Sequence, residues 1–480
     1  MSDIRHEKGR LSARQRMALL FDEGIYEEIS ENDASGVVTG RGAVAGRPVY
    51  AYAQDSYVAG GAMSAGMAAS ICEVMDMAIS DGAPLVALND SVGAKIQDGV
   101  ASLAGYGDIF KRNIKASGVI PQISGVFGPC AGGAVYSPAL TDFVVMVQDS
   151  SYMFVTGPSV VNTVTGESVS REELGGSSLH TSKSGVVHHA SASESEAIYW
   201  IRELLGFLPS NNRAPLPVAA CPDSADASAE SLCGIVPDNP AKAYDMKQVV
   251  RAIADDGVFF EVHQAWAKNI LVGFIRMDGR PVGVVANQPK VMAGVLDINA
   301  SRKAARFVRF CDAFNIPLLT LADVPGFLCG LQQESGGIIS HGSKLLFAYG
   351  ESTVPKVTVT LRKSYGGAHI TMACKQLGGD VNFVWPSANV AVMGADGAVE
   401  ILYARELASV EDAALRHELF LRLREAYQEN FCILDVMIEK GYIDEVIRPS
   451  ETRAKVISAF RCIEDKKGGT PWKKHDNLPL

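Results

Sequence analysis

Four hundred and eighty residues, 47% of them hydrophobic and 20% charged, predict a soluble globular chain with material for two or three ordinary cores. A net charge of −10 without a long Lys/Arg stripe argues against nucleic acid as a partner, so anionic ligands must be met by local basic groups or main-chain amides. The nine cysteines form no C-x-x-C pair or zinc-ligand set, no apolar run reaches a membrane-span length, and the opening MSDIRHEKGR has no apolar signal core. The expectation is a cytoplasmic protein, or a processed matrix protein, with no metal site and no membrane span.

In chain order, KGRLSARQRMALLF at residues 8–21 sets Leu11, Met17, Leu19, Leu20 and Phe21 among basic residues, predicting an amphipathic helix used as a packing arm. From Gly36, GVVTGRGAVAGRPVYAYAQD predicts two strands joined by a turn at Ala45-Gly46-Arg47. Met63 to Ile79 has helical spacing, with Met67, Ile71, Val74, Met75 and Ala78 on one side. A buried strand from Pro84 to Asn89 follows, with Asp90 capping its end. Pro121 then opens a β-branched run (Ile123, Val126) that ends in Gly132-Gly133-Ala134. His188-His189 is an adjacent pair whose side chains point apart, with no third ligand nearby, and reads as structural. Pro209 to Ala243, rich in Pro, Asn, Asp, Ser and Ala, reads as a surface linker and sets a domain boundary near residue 235.

The second half repeats the first. GRPV at Gly46–Val49 returns at Gly279–Val282, an offset of 233; GAPLVALND, with Pro84 and Asp90, returns as NIPLLTLAD, with Pro317 and Asp323, again at 233. Pro355 opens a second β-branched strand (Val357 to Thr360) that ends in Gly366-Gly367-Ala368, displaced by 234 from the first Gly-Gly-Ala. Residues 294–314 supply the matching helix, with Ala304, Phe307, Val308 and Phe310 as its apolar face. Landmarks in one order at one offset mean a duplicated domain, each copy running strand, strand, helix, strand, loop, helix, strand, Gly-Gly turn, helix. The fold class is therefore α/β, with domains at 1–235 and 236–480. GIISHGSK at Gly337–Lys344 lacks the GK[ST] order and a preceding strand, and is not a P-loop. The helix from Glu411 to Glu429 is expected to turn a Leu415–Leu419–Leu423 stripe to the core.

A Gly-Gly pair between a strand and a helix leaves main-chain N–H groups open to a ligand, and the helix dipole adds positive charge there. That is the chemistry of an oxyanion hole, and two copies at matched spacing make it the favoured reading.

Long composite motifs then carry a family resemblance: KGRLSARQRMALLFDEG from Lys8, GPCAGGAVYSPALTD from Gly128, FVTGP from Phe154, NQPKVMAG from Asn287 and DINASRKAARFVRFCDAFNIPL from Asp297. They continue through DVPGF from Asp323, VPKVTV from Val354, AVMGADGAVE from Ala391 and the closing PWKKHDNLPL. The halves resemble crotonase-type (ClpP/crotonase) domains. The whole chain resembles the carboxyltransferase β subunit of biotin-dependent acyl-CoA carboxylases, of the propionyl-CoA carboxylase type. The resemblance implies two oxyanion holes in a site shared between the N-terminal half of one subunit and the C-terminal half of another, within a homo-hexamer built as a trimer of dimers. Amides around Gly132-Gly133, with Gly93 or Ala94, would hold the thioester enolate; those of Gly366, Gly367 and Ala368 would hold the ureido oxygen of biotin. Val92, Lys95, Ala134, His369 and Ile370 would line the acyl-CoA site.

Between Ile29 and Gly36 the chain is shorter than the family pattern. It also carries Val92-Gly93-Ala94-Lys95 where Gly-Gly-Ala-Arg is usual, Cys329 and Ser340 where Pro and Arg are usual, and His369-Ile370 where propionyl-preferring members have Tyr-Asp. Isoleucine there offers only apolar contact, which predicts broader acyl-CoA acceptance, acetyl through butyryl. No Met-Lys-Met biotin-attachment motif or ATP-binding signature occurs. The carboxyl donor is thus expected on a partner, a biotin carboxylase with its biotin carboxyl carrier. Two alternatives stand beside carboxylation: a decarboxylase or transcarboxylase subunit running the transfer toward biotin, and a non-catalytic scaffold.

Overall fold

The computed structural model describes residues 10–29, 35–221, 223–225, 228–431, 434–466, 469 and 471–479. The expectations at residues 1–9, at the short segment 30–34 and at Leu480 lie outside them. Contacts divide the chain into two units, Met1–Pro217 with Val262–Trp266, and Val218–Glu261 with Ala267–Leu480. The expected linker is shared between them: Asn211 and Asn212 donate to Gly82 O (2.7 Å) and Gly118 O (2.9 Å) in the first unit, while Ala219 donates its N–H to Gly279 O (3.0 Å) and Ala229 to Ser450 O (2.9 Å) in the second.

Each unit is built on one eight-stranded sheet. In the first, β1 (Tyr26–Glu28), β2 (Val37–Val44) and β3 (Arg47–Gln54) are antiparallel. From β3 the order continues in parallel through β4 (Leu85–Ser91), β5 (Gln122–Ala131), β6 (Phe143–Val147) and β8 (His189–Ser191), while β7 (Tyr152–Phe154) pairs with the far end of β5. The second sheet repeats this with β9 (Phe260–Val262), β10 (Ile270–Met277), β11 (Arg280–Asn287), β12 (Leu318–Val324), β13 (Lys356–Tyr365), β14 (Val381–Val384) and β16 (Glu445–Val446), β15 (Asn389–Ala391) pairing with the far end of β13. All seven residues of β4 and all seven of β12 are buried, as in a central parallel strand covered on both faces, and the run Leu85–Leu88 that opens β4 is wholly apolar. The core of each unit lies between its sheet and its helices, Met67, Ile71, Val74 and Met75 packing in the first and Leu319, Leu321, Val357 and Val359 in the second.

The duplication reaches single interactions. The two-residue turn of the β2–β3 hairpin, Ala45-Gly46, has φ of 50° and 71°, and its counterpart Asp278-Gly279 has 55° and 76°. A carboxylate clasps each turn: Asp22 accepts the N–H groups of Ala45 and Gly46 (3.1 and 2.9 Å), and Asp255 those of Asp278 and Gly279 (3.2 and 2.7 Å). These carboxylates in turn meet Arg202 (2.7 Å) and Arg453 (2.6 Å) from the last helix of each copy. The helix Ala13–Leu20 has its counterpart in Met246–Ile253, again 233 residues on, so the packing arm is part of the repeated unit.

Two expectations change. Asp90 is not a cap beyond its strand but lies inside β4 with a fully buried side chain, because the buried Arg16 and the partly exposed Arg10 compensate its charge. The helix Ala413–Phe431 leaves Leu415 59% exposed, and Phe420, Leu423 and Tyr427 pack on Ala395, Ala398 and Val399 instead. No helix among the described residues is long and apolar enough to cross a membrane.

Candidate active site

Both Gly-Gly turns begin where a central strand ends. Gly132 has φ +60° after β5 and Gly366 φ +57° after β13, a conformation that disfavours any side chain, and a short helix starts at once in each case. The amides of Gly132 and Gly133 lie in the first turn of a 3-10 helix and those of Gly366, Gly367 and Ala368 in the first turn of an α-helix, where N–H groups have no acceptor within the helix.

The neighbouring strand delivers a loop to each turn. Ser91 pairs with Cys130 in the ladder, and Gly93 (φ +109°) lies so close to Ala131 that an added Cβ would be 2.9 Å from its carbonyl oxygen. Within Val92–Lys95 the amides are spent unevenly. Val92 donates to Gly60 O (3.2 Å), Gly93 to Ser91 Oγ (3.2 Å) and Lys95 to Met63 O (2.9 Å). Among the described residues the Ala94 N–H has no acceptor, because the Met63–Ala94 bridge uses the groups on either side of it.

The second unit reproduces this. Leu296 bridges Phe327, with Leu296 N–H on Gly326 O (3.0 Å) and Leu328 N–H on Leu296 O (2.8 Å), which leaves the Phe327 amide in the position of Ala94. Phe327 was not expected from the motifs. The signal was present, since it stands 233 residues after Ala94, but only the bridge shows that its amide is uncommitted.

The remaining predicted residues fall around these turns. Val92 is 52% exposed with its side chain over Gly60, and the Lys95 ammonium pairs with Asp98 at 3.4 Å. Ala134 and Ala368 are buried beneath their turns. His369 Nδ1 shares a hydrogen bond of 2.9 Å with Ser364 Oγ, and burial lowers its pKa below the ordinary histidine value, favouring the neutral ring. Ile370, 46% exposed, lines a cavity of about 710 Å³ with Gly366, Gly367, Val390, Val392 and Met437.

Beside the first turn burial favours the neutral forms of a cysteine and a tyrosine. Burial pushes the Cys130 thiol up to about 12 and raises the Tyr106 phenol, whose ring lies against Gly133. Asp90 is committed to Arg10, Arg16 (3.1 Å) and Ser56 (3.0 Å). Among the described residues the turn thus offers hydrogen-bond donors and no free base of its own. The His188-His189 pair plays no part: His188 Nδ1 accepts the Val144 N–H (3.0 Å) while its ring stacks on His263, and His189 stacks on Trp200. Among the described residues no His, Cys, Asp and Glu cluster could hold a metal ion.

A set of amides at the end of a parallel strand in each unit fits acyl transfer through an oxyanion, and the carboxyl transferase domain model matches residues 4–478. The chain belongs to the carboxyl transferase family. The carboxyltransferase is 56% identical to the propionyl-CoA carboxylase beta chain of Cereibacter sphaeroides, an alignment covering 100% of this chain and 95% of the relative. It is 50% identical to the mitochondrial propionyl-CoA carboxylase beta chain of Homo sapiens, over 100% and 90% of the two chains. Among solved structures, the transcarboxylase 12S hexamer with methylmalonyl-coenzyme A and methylmalonic acid bound superposes with a TM-score of 0.93 at 44% identity, covering 98% of this chain and 93% of that one. The two tandem crotonase-like domains expected for the carboxyltransferase agree with this likeness.

Proposed function

We propose that this carboxyltransferase moves a carboxyl group from carboxybiotin, carried on a partner polypeptide, to the α-carbon of a short-chain acyl-CoA. The observation that most supports this reading is the repeated device of a Gly-Gly turn beside a bridged loop in which, among the described residues, the amide of Ala94 in one copy and of Phe327 in the other stays uncommitted. Amides of Gly132, Gly133 and Ala94 hold the enolate oxygen of the thioester. Those of Gly366, Gly367, Ala368 and Phe327 hold the ureido oxygen. Carboxybiotin supplies CO2 and then a basic ureido nitrogen for the α-proton, which suits a first turn whose cysteine and tyrosine neighbours stay protonated. The residues' task is to orient two ligands and to stabilise charge as it develops. The names of the relatives favour carboxylation over the reverse transfer.

The test is to combine the chain with biotin carboxylase and carrier subunits, ATP and bicarbonate, and to assay acetyl-, propionyl- and butyryl-CoA. Carboxylation of at least one, dependent on the carrier, is expected; none with any of the three overturns the reading. The cavity beside Ile370 is lined by Val390, Val392 and Met437 and offers mainly apolar contact, and one methylene in such a pocket is worth about 1–3 kcal/mol. All three substrates should therefore be used, and Ile370→Asp should change their kcat/KM ratios. Unchanged ratios would show that this residue does not set specificity.

Assembly follows from the same reading, since each half-site is completed by another subunit of a hexamer in the cytoplasm. Light scattering of the active protein is expected to give a hexamer, and an active monomer would contradict it.

A further inference from the structure

The paired strands that carry each hole lose register at one residue. Asn89 pairs with Val126 but Ser91 with Cys130, so Asp90 alone faces Phe127, Gly128 and Pro129. In the second unit Ala322 pairs with Thr360 and Val324 with Ser364, so Asp323 faces Leu361, Arg362 and Lys363. Both aspartates are completely buried. Each has its own N–H held by a side-chain amide at the same offset: Asp90 donates to Gln54 Oε1 (3.1 Å) and Asp323 to Asn287 Oδ1 (3.2 Å).

The carboxylates differ in what they grip. Asp323 Oδ2 accepts from Arg362 Nε (3.1 Å) and Tyr244 OH (2.9 Å), while Oδ1 accepts the main-chain N–H of Lys363 (3.1 Å). Lys363 lies on β13 three residues before Gly366, and Asp323 lies on β12 four residues before Phe327. One carboxylate therefore ties the strand that ends in the turn donors to the strand that leads to the loop donor. In the first unit the position of Lys363 is held by Pro129, which has no N–H, and that of Arg362 by Gly128. Asp90 Oδ1 accordingly finds no donor among the described residues, and its guanidinium partners come instead from Arg10 and Arg16 onto Oδ2.

We propose that Asp323 is the positioning residue of the second hole, locking the Phe327 amide to the Gly366-Gly367 amides through Lys363 N–H, and that the first hole lacks this main-chain tie. The proposal rests on the functional reading above only for its kinetic consequence. In Asp323→Asn the carboxamide nitrogen must face either Arg362 or the Lys363 N–H, donor against donor, whichever way it turns. In Asp90→Asn it can take the Oδ1 place, which no main-chain N–H opposes.

Both variants and wild type are to be compared as full-length assembled protein. Amide hydrogen exchange of Asp323→Asn is expected to rise by about tenfold in peptides covering 324–328 and 363–368, with the first unit and the rest of the second unchanged. In the reconstituted assay kcat should fall by about tenfold or more at a KM for acyl-CoA within about twofold, whereas Asp90→Asn should lower kcat by no more than about threefold. Exchange rising throughout the second unit would mean a structural role only and would overturn the proposal. So would unchanged exchange at 363–368, a preserved kcat, or equal losses in the two variants. If wild type transfers no carboxyl group, the functional reading fails, and the exchange comparison alone decides the tie.

Discussion

Gly367→Val should abolish carboxyl transfer while leaving the fold in place. Gly367 is exposed at the head of its helix, and an added Cβ would meet only the Phe327 ring, at 3.9 Å. The valine methyls therefore enter the space in front of the amides without displacing core atoms. Losing one oxyanion donor costs about 2.7–4 kcal/mol of transition-state stabilisation, so kcat should fall by about 10²–10³-fold. The same change at the first turn is a different experiment. An added Cβ on Gly133 would lie 2.9 Å from the buried Tyr106 ring, and overpacking of this kind costs about 1–3 kcal/mol of stability. Gly133→Val should thus lose activity and thermal stability together, and Gly367→Val activity alone. Steady-state kinetics and thermal denaturation at one protomer concentration check both. Near-normal turnover in Gly367→Val would show that the donors are misassigned.

Arg16→Met is expected to be the most destabilising single change away from the turns. Arg16 is almost wholly buried, with Nε 2.7 Å from Glu194 and both Nη atoms 3.1 Å from Asp90, and its guanidinium stacks 4.9 Å over the Phe127 ring. Methionine keeps the apolar stem but leaves two buried carboxylates with Arg10 as their remaining close guanidinium. Breaking a buried pair from one side costs about 3–5 kcal/mol, because the surviving charge has lost both water and partner. The exposed Arg41–Glu27 pair at 2.8 Å is the control, where solvent screens the charges and Arg41→Met should lower stability far less. Urea unfolding at fixed protomer concentration measures the difference, and equal losses would show that burial does not set the cost.

The duplication and both Gly-Gly turns were legible in the residues alone, since an offset of 233 or 234 survives in linear order whatever the chain does in space. The apolar starts of the central strands were legible too: a buried parallel strand takes apolar side chains on both faces, as Leu85–Leu88 of β4 shows. The contents of each hole were not. Val92, Gly93, Ala94 and Lys95 are equivalent on paper as main-chain donors, and only folding, through Gly60, Ser91 and the bridge to Met63, commits three of them and leaves Ala94.

Asp90 shows the same limit from the side of charge. Next to a strand end it reads as a cap, because sequence places no cation beside it; folding brings Arg16 to it across 74 residues and Arg362 to Asp323 across 39. The sequence by itself determined the repeat, the strand–turn–helix order and the residue types at each turn, because these depend on local conformational preference and linear spacing. Tertiary structure alone decided which amides stay unpaired and which buried charges meet, because a hydrogen bond or ion pair is allotted by proximity among all segments at once.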